Sequence, residues 1–441
     1  MPAPESAAVA SGQLPLSMPS LRRRFQLLLV LRWVPSGLFV TVFVLLMRDR
    51  GLSLAQIGVA TATQGLVMLA LELPSGGFAD AVGRRVTLVI AGVLAVAATG
   101  LLVVADSVGV LAVVFAVQGV ARALDSGPLQ SWFVDASLEN DPNTSIERDL
   151  SRADVVICAS IGGGAILASA IVTVDLGGID PLVLPILASL VVQTVSLVAV
   201  LTLMTERRRT AGWKAGVRAV GEVPAVIHGA LRVIRASRLL GALVAAELCW
   251  GAGMIAFETF FPPRLAELTA GFDEAASAVG PIITVAWILS ALGAACAPTM
   301  MAWLGAGPAA FVLRLGQGAA VVGMGIAAGP VGLIVGYLTA YWTHGGSGPV
   351  HYSMVHRLVD ADHRTTVVSA NSLAAQAGAA LSGIALGVLA DATSIAAAMI
   401  VAGAVLIVAA PLYLVRPTGR DVDAESGGDA ATREQVGATR A

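Results

Sequence analysis

The sequence predicts an all-α integral membrane protein, with twelve transmembrane helices in two pseudo-symmetric six-helix bundles. Three observations carry this. The 441 residues are 56% hydrophobic and only 13% charged, against about 25% charged in a soluble domain. Apolar runs of about 20 residues, the length that crosses a bilayer, recur along the chain. One long basic loop divides those runs six and six.

Residues 1–20 are rich in Pro, Ser and Ala and read as a disordered N-terminus. The first apolar run, 25–47, is long enough to span and lacks a cleavage-type end, so it is a span rather than a signal peptide. Five more runs follow at 55–79, 86–105, 109–134, 153–174 and 181–204, which completes a first bundle over 21–204. The loop 205–238 carries Val220, Val223, Ile227, Leu231 and Ile234 at helical spacing among Arg218, Arg232, Arg235 and Arg238. It reads either as an amphipathic helix on an anionic leaflet or as a plain basic linker. The second bundle, 239–416, holds runs at 239–262, 275–298, 308–328, 331–355, 366–390 and 394–415. Residues 417–441 read as a disordered tail.

Most of the 27 Lys and Arg residues fall on one side of these spans, in 22–24, 84–85, 148, 152, 205–238, 357, 364 and the tail. The other side holds only Arg48, Arg50 and Arg264. Positive residues mark the cytoplasmic side, so both termini of this multi-pass cell-membrane protein are predicted cytoplasmic. An offset of 212 aligns Arg152, Val155, Val156 and Ser160 with Arg364, Val367, Val368 and Ser372. That suggests parallel repeated halves.

Several functions are disfavoured. A net charge of −2 gives no reason to expect nucleic acid. Cys158, Cys249 and Cys296 lie inside apolar runs and read as small buried hydrophobes, so no metal site or disulfide is expected. There is no Gly-Lys-Ser/Thr phosphate loop, no His-Glu-x-x-His and no Gly-x-Ser-x-Gly. An enzyme is not expected, and neither is a cofactor; a proton gradient is the expected energy source.

Between the second and third runs lies Gly76-Gly77-Phe78-Ala79-Asp80-Ala81-Val82-Gly83-Arg84-Arg85. This Gly-x-x-x-Asp-x-x-Gly-Arg-Arg pattern resembles the loop signature of the major facilitator superfamily of transporters. Glu72-Leu73-Pro74-Ser75 before it, and Gly119-Val120-Ala121-Arg122 with Asp125 in the fourth run, are similar to bacterial twelve-helix drug-efflux members. Val134-Asp135 resembles their apolar-Asp pair. Two departures stand out: Ala81 replaces a common basic residue, and Gly162-Gly163-Gly164 in the fifth run has no Gly-Pro antiporter pair. The resemblance implies alternating access by two rocking bundles, a small-molecule substrate and protons as partners, in the lipid bilayer and as a monomer.

The loop chemistry is readable. Gly77 and Gly83 permit close backbone approach. Asp80 is placed to face the positive start of the eleventh helix, near Thr365-Thr366, and Arg84 to pair with Asp135. Gly77, Asp80, Gly83, Arg84, Arg85 and Asp135 therefore form a candidate latch between the halves. The bland alternative has Arg84 and Arg85 anchoring the chain to headgroups.

Charges inside spans are costly, about 2.5–3.5 kcal/mol each on insertion scales, so each is a functional candidate. Arg32 lies in the first span. Arg122 and Asp125 are three apart, close enough to pair. Asp125 is either a proton carrier released from that partner by a conformational change or half of a permanent structural pair. Arg314 is expected to snorkel. Glu247 and Glu258 fall on one face of the seventh span, about 16 Å apart, with Trp250 and Met254. Glu247 is the preferred carboxylate for a cation or proton, and Glu258 is a gate candidate. Tyr337, Tyr341, Trp342 and His344, then His351, put aromatic and titratable groups on the tenth span. His344 reads as a substrate contact or as a packing residue. The expected function is proton-coupled efflux of drug-like or secondary-metabolite molecules. Import of a small metabolite is the alternative, and a non-transporting receptor or scaffold is a third.

Overall fold

The computed structural model describes residues 17–141, 144, 146–206, 237–358 and 361–416. Within them the side chains of residues 69, 72–74, 76, 77, 80, 81, 147, 361–366 and 369 lie outside the description. The tail 417–441, most of the N-terminus and nearly all of the 205–238 loop, including its candidate amphipathic helix, fall outside the described residues.

The described chain is helical throughout. In order the helices are α1 (Met18–Asp49), α2 (Leu54–Val82), α3 (Arg84–Val103), α4 (Val108–Asp125), α5 (Pro128–Asn140), α6 (Ile146–Ile171) and α7 (Leu184–Leu203). The second half has α8 (Arg238–Glu258), α9 (Phe261–Leu268), α10 (Phe272–Leu304), α11 (Ala306–Ile326), α12 (Pro330–Arg357), α13 (Ala361–Ala392) and α14 (Ile395–Ala409). A 3₁₀ turn, Ala410–Leu414, closes the last pass. Met18–Ser20, assigned from composition to a disordered terminus, belong instead to α1, because Pro19 suits a helix start.

These helices make twelve passes, two of them broken. The fourth is split at Ser126-Gly127, where Gly127 adopts φ 96° and Pro128 starts α5. The seventh is split at Thr259-Phe260, and Pro262 and Pro263 open α9. Proline is tolerated in a first turn because its missing N–H has no helical partner there. Ten passes are long and apolar enough to cross a membrane among the described residues. The tenth pass, α12, is not among them; it spends its length on Gly, Tyr, His, Ser and Thr. This is a multi-pass membrane protein.

The repeat suggested by the sequence is visible in the packing. In the first half α1 packs on α6 and α7, α4 on α2 and α3, and α3 on α7. In the second half α8 packs on α13 and α14, α12 on α10 and α11, and α11 on α14. Each pairing has its counterpart six passes later. The halves meet along α2 against α13 and along α6 against α10, which are again equivalent pairs.

Single-glycine turns join the second pass to the third and the eighth to the ninth. Gly83 has φ 109° and Gly305 has φ 84°. The second loop has lost the acid and the arginines but keeps the backbone turn. At Gly83 a Cβ would also sit 3.1 Å from Glu206 Oε2. Gly83→Ala is therefore expected to lower thermal stability in detergent by about 1–2 kcal/mol, from the unfavourable backbone alone. Gly83→Ala with Glu206→Ala relieves the steric part and recovers some of it.

Candidate functional site

Three constellations emerge: a latch inside the first half, charged residues within the spans of both halves, and a buried cluster inside the second half.

The latch is built on the N-terminus of α3. Arg84 donates to Asp135 at 2.6 Å, which ties the third pass to α5. Glu206, just beyond α7, accepts from the backbone N–H groups of Arg84 (2.9 Å) and Arg85 (2.8 Å). A carboxylate there satisfies orphan donors and complements the helix dipole. The Arg85 guanidinium donates to the Leu201 carbonyl. Arg84 and Arg85 are thus tied to protein, not only to headgroups. These contacts are internal to the first half. The part expected to bridge the halves, Gly77 and the Asp80 side chain against residues 365–366, lies outside the described side chains.

At the opposite face the halves are held by close backbone contact. A Cβ on Gly58 would lie 2.2 Å from the Gly383 carbonyl, and one on Gly280 would lie 2.0 Å from the Ala165 carbonyl. Ser169 Oγ donates to Ala276 O at 2.7 Å and accepts from Gly280 N–H at 2.9 Å. Asp391, at the end of α13, accepts from the N–H groups of Leu54 (3.0 Å) and Ala55 (2.8 Å) at the start of α2. Arg48 stands 3.9 Å from the same carboxylate. An acid of one half therefore caps a helix of the other. Losing such a cap costs about 0.5–2 kcal/mol. Asp391→Ala is expected to part this face more often, read as faster maleimide labelling of Gly65→Cys in a background without the native cysteines.

Both halves carry charged groups within their spans. Arg32 meets Asp125 at 2.5 Å and donates to the Asp125 carbonyl at 2.7 Å. This corrects the expected pairing: the ion partner of Asp125 is Arg32, 93 residues away, rather than Arg122. Arg122 instead is solvent-accessible and makes no hydrogen bond or ion pair among the described residues. Glu258 at the end of α8 is also solvent-accessible and likewise unpaired. Accessible charges on spanning helices are expected to line a polar space rather than face lipid.

The second half also holds an aromatic layer. His344 stacks on Trp250 (centroids 5.5 Å apart, planes 8°). Phe257 and Trp287 meet Tyr341 edge-on at 5.4 and 6.0 Å. Phe261 stacks on Tyr337 at 3.8 Å. Tyr337 and Tyr341 are themselves buried, so they support the layer from behind. The Nδ1 atom of His344 is buried with no partner. Phe257 and Trp287 carry no polar signal, and nothing in the sequence singles them out.

The third constellation corrects the expectation that Arg314 snorkels. Its side chain is 1% exposed. It lies 3.5 Å from Glu247 and donates to Gln317 Oε1 at 2.8 Å and Tyr413 Oη at 3.0 Å. His351 Nδ1 is 3.6 Å from Glu247 Oε1 and 3.1 Å from Tyr413 Oη, and its Nε2 is 3.2 Å from Asn371 Oδ1. Five passes contribute to the cluster. His351, grouped with the cavity aromatics in the sequence, belongs here instead. Glu247 and Glu258 are on one stripe of α8 but differ in surroundings: Glu247 lies in this cluster and Glu258 is exposed. Arg314 Nε, Gln317 Nε2 and Asn371 Nδ2 are buried without partners, which leaves the cluster able to hydrogen-bond further groups or water.

The sequence model of the Major Facilitator Superfamily matches residues 27–342, from the first pass into the middle of the tenth. No curated protein matches in sequence. Among solved structures, the chain is similar to the nucleoside transporter NupG (TM-score 0.74, 13% identity, 89% of this chain and 98% of that one). It is similar to a bacterial homologue of the human lysosomal transporter Spinster, inward-facing and occupied (TM-score 0.69, 16% identity, 91% and 97%). It is also similar to a D-xylose–proton symporter (TM-score 0.67, 15% identity, 90% and 97%).

Proposed function

The chain belongs to the major facilitator superfamily, and from that premise we propose that it is a proton-coupled secondary transporter exporting small amphipathic organic molecules across the cell membrane. One observation carries the proton coupling: Glu247 stands 3.5 Å from Arg314 and 3.6 Å from His351, buried in the second half. A proton carrier needs a carboxylate that is out of bulk water and whose counter-ion can find a second partner when it is neutralised. Tyr413 and Gln317 are in hydrogen-bond contact with Arg314 and serve as those partners. Protonation of Glu247 releases Arg314, loosens the junction of five passes and biases the rocking of one half on the other.

Substrate enters the cavity between Arg32–Asp125, Arg122 and Glu258. Its access alternates between the two faces. The Lys and Arg distribution supports cytoplasmic termini, which places the Asp391 closure outside and the Gly83 latch inside. Asp125, held by Arg32, is the second candidate for proton transfer. Import is the alternative reading, favoured by the absence of the Gly-Pro pair beside Gly162–Gly164.

Inverted membrane vesicles energised to an acid interior test direction. Proton release on adding lipophilic cations or neutral amphipathic compounds is the expected result. No release with any compound, together with gradient-driven uptake by whole cells, overturns export in favour of import.

A further inference from the structure

Hydrogen positions in the buried cluster of the second half follow from its donors and acceptors. Arg314 Nη2 donates to Tyr413 Oη at 3.0 Å, so the Tyr413 hydroxyl hydrogen points away from the guanidinium. Its acceptor among the described residues is His351 Nδ1, at 3.1 Å. That nitrogen is then bare, and in a neutral imidazole the hydrogen sits on Nε2. Nε2 faces an acceptor, Asn371 Oδ1, at 3.2 Å. The chain from Arg314 through Tyr413 and His351 to Asn371 thus runs in one direction, with a donor and an acceptor at every link. The other tautomer leaves the Tyr413 hydrogen without an acceptor among the described residues and requires the Asn371 amide to turn over. The bare Nδ1 also lies 3.6 Å from Glu247 Oε1. His351 is 1% exposed and Asn371 0%, so bulk water does not compete for either ring nitrogen. Among the described residues the polar groups of this cluster are Glu247 from α8, Arg314 and Gln317 from α11, Asn371 from α13 and Tyr413 from the last pass.

We propose that Asn371 is the positioning residue of the proton step: by holding Nε2–H it turns the bare Nδ1 of His351 toward Glu247 and makes His351 the acceptor of the Glu247 proton. The step balances within the pair. The Glu247 O–H bond breaks and an Nδ1–H bond forms, so a neutral acid and a neutral imidazole become a carboxylate and an imidazolium. Nδ1–H then faces Glu247, Nε2–H stays on Asn371, and the Tyr413 hydroxyl gives up Nδ1 while keeping Arg314. The transfer restores the Glu247 carboxylate beside Arg314, at 3.5 Å. A neutral amide has no proton to hand on, so Asn371 ends the chain and the proton leaves His351 by Nδ1. This inference rests on the transporter reading and assigns His351 and Asn371 to its coupling step.

Nitrogen-15 NMR of the purified full chain in nanodiscs tests it, with labelled histidine rings and glutamate carboxyl carbons. The His351 and Glu247 signals are those that His351→Gln and Glu247→Gln remove. Neutral wild type should show the one-bond N–H coupling at Nε2 of His351 and none at Nδ1. Acidification should add the coupling at Nδ1 with Nε2–H retained, and the new hydrogen should give a cross-peak to the Glu247 carboxyl carbon. Asn371→Asp still accepts from Nε2 and should keep this tautomer. Asn371→Leu leaves Nε2–H without an acceptor and should move the tautomer ratio toward Nδ1–H at least about fivefold. A hydrogen on Nδ1 in the neutral wild type, an Nδ1 hydrogen without the Glu247 cross-peak, or an unchanged ratio in Asn371→Leu overturns the proposal. The wild-type and Asn371→Asp spectra decide it should the leucine variant fail to fold. The tautomer is read without substrate, so its failure and a failure of the vesicle test above are separate results.

Discussion

Gly280→Ala is expected to cut turnover at least about tenfold while leaving the protein folded. The added Cβ would meet the Ala165 carbonyl oxygen at 2.0 Å and its carbon at 2.6 Å, both backbone atoms of the other half. Backbone cannot rotate away as a flexible side chain can, so the face at which α6 meets α10 no longer closes. Gly58→Ala acts in the same way through Gly383, at 2.2 Å. Overpacking costs about 1–3 kcal/mol, a population shift of about five- to 150-fold, and it falls on one conformer only. Transport should drop at least about tenfold, and labelling of Gly65→Cys should accelerate. Gly251→Ala is the contrasting control. Its Cβ would lie 1.9 Å from Ala375 O, within the second half, where α8 and α13 pack in every conformer. That variant should lose thermal stability rather than conformational balance. If Gly280→Ala melts early and labels slowly, the α6–α10 contact is structural and not a moving surface.

The second large effect is at Arg314. Arg314→Met leaves Glu247 without its guanidinium inside the second half, while the Tyr413 hydroxyl keeps His351. Breaking one side of a buried pair costs about 3–5 kcal/mol, most of it from the charge left alone. Thermal unfolding in detergent should shift down accordingly. Arg314→Met combined with Glu247→Gln should recover much of the loss, because the uncompensated charge is gone. The double variant should still fail to use a proton gradient. Recovery of stability without recovery of coupling separates the cluster's structural role from its proton role. Equal destabilisation in the single and double variants would mean that packing, not charge, accounts for the effect.

The passes were legible because their signal is local: charge scarcity and run length locate all twelve. The Arg84–Asp135 pair, 51 residues apart, is present, and its signal was the likeness of the loop and of Val134-Asp135 to family motifs rather than spacing. The pairs that span the bundle were not legible. Arg122 is three residues from Asp125, yet Arg32 takes the aspartate, because the rotation of α1 against α4 decides it. These helices are apolar nearly all round, so periodicity does not indicate which stripe faces inward. The same reason hid Arg314: a basic residue near a helix end looks free to reach water until four neighbouring passes surround it. Asp391 had a weak signal, an acid at the very end of an apolar run, but its partner, the start of α2, lies more than 330 residues earlier. The breaks at Gly127 and Thr259 cut runs that read as continuous, since hydropathy is insensitive to a turn that keeps its side chains apolar.

The proposed coupling of protons to transport runs through Glu247. Proteoliposomes containing the wild type or Glu247→Gln, loaded with a pH-sensitive dye, test it with a substrate identified in the vesicle screen. The account predicts that wild type moves protons when substrate is added and accumulates substrate against its gradient. Glu247→Gln should do neither while still exchanging substrate across the membrane at equilibrium, because the rocking and the cavity are intact. Retained proton movement and accumulation in Glu247→Gln would contradict the account and move the coupling site to Asp125 and Arg32 in the cavity.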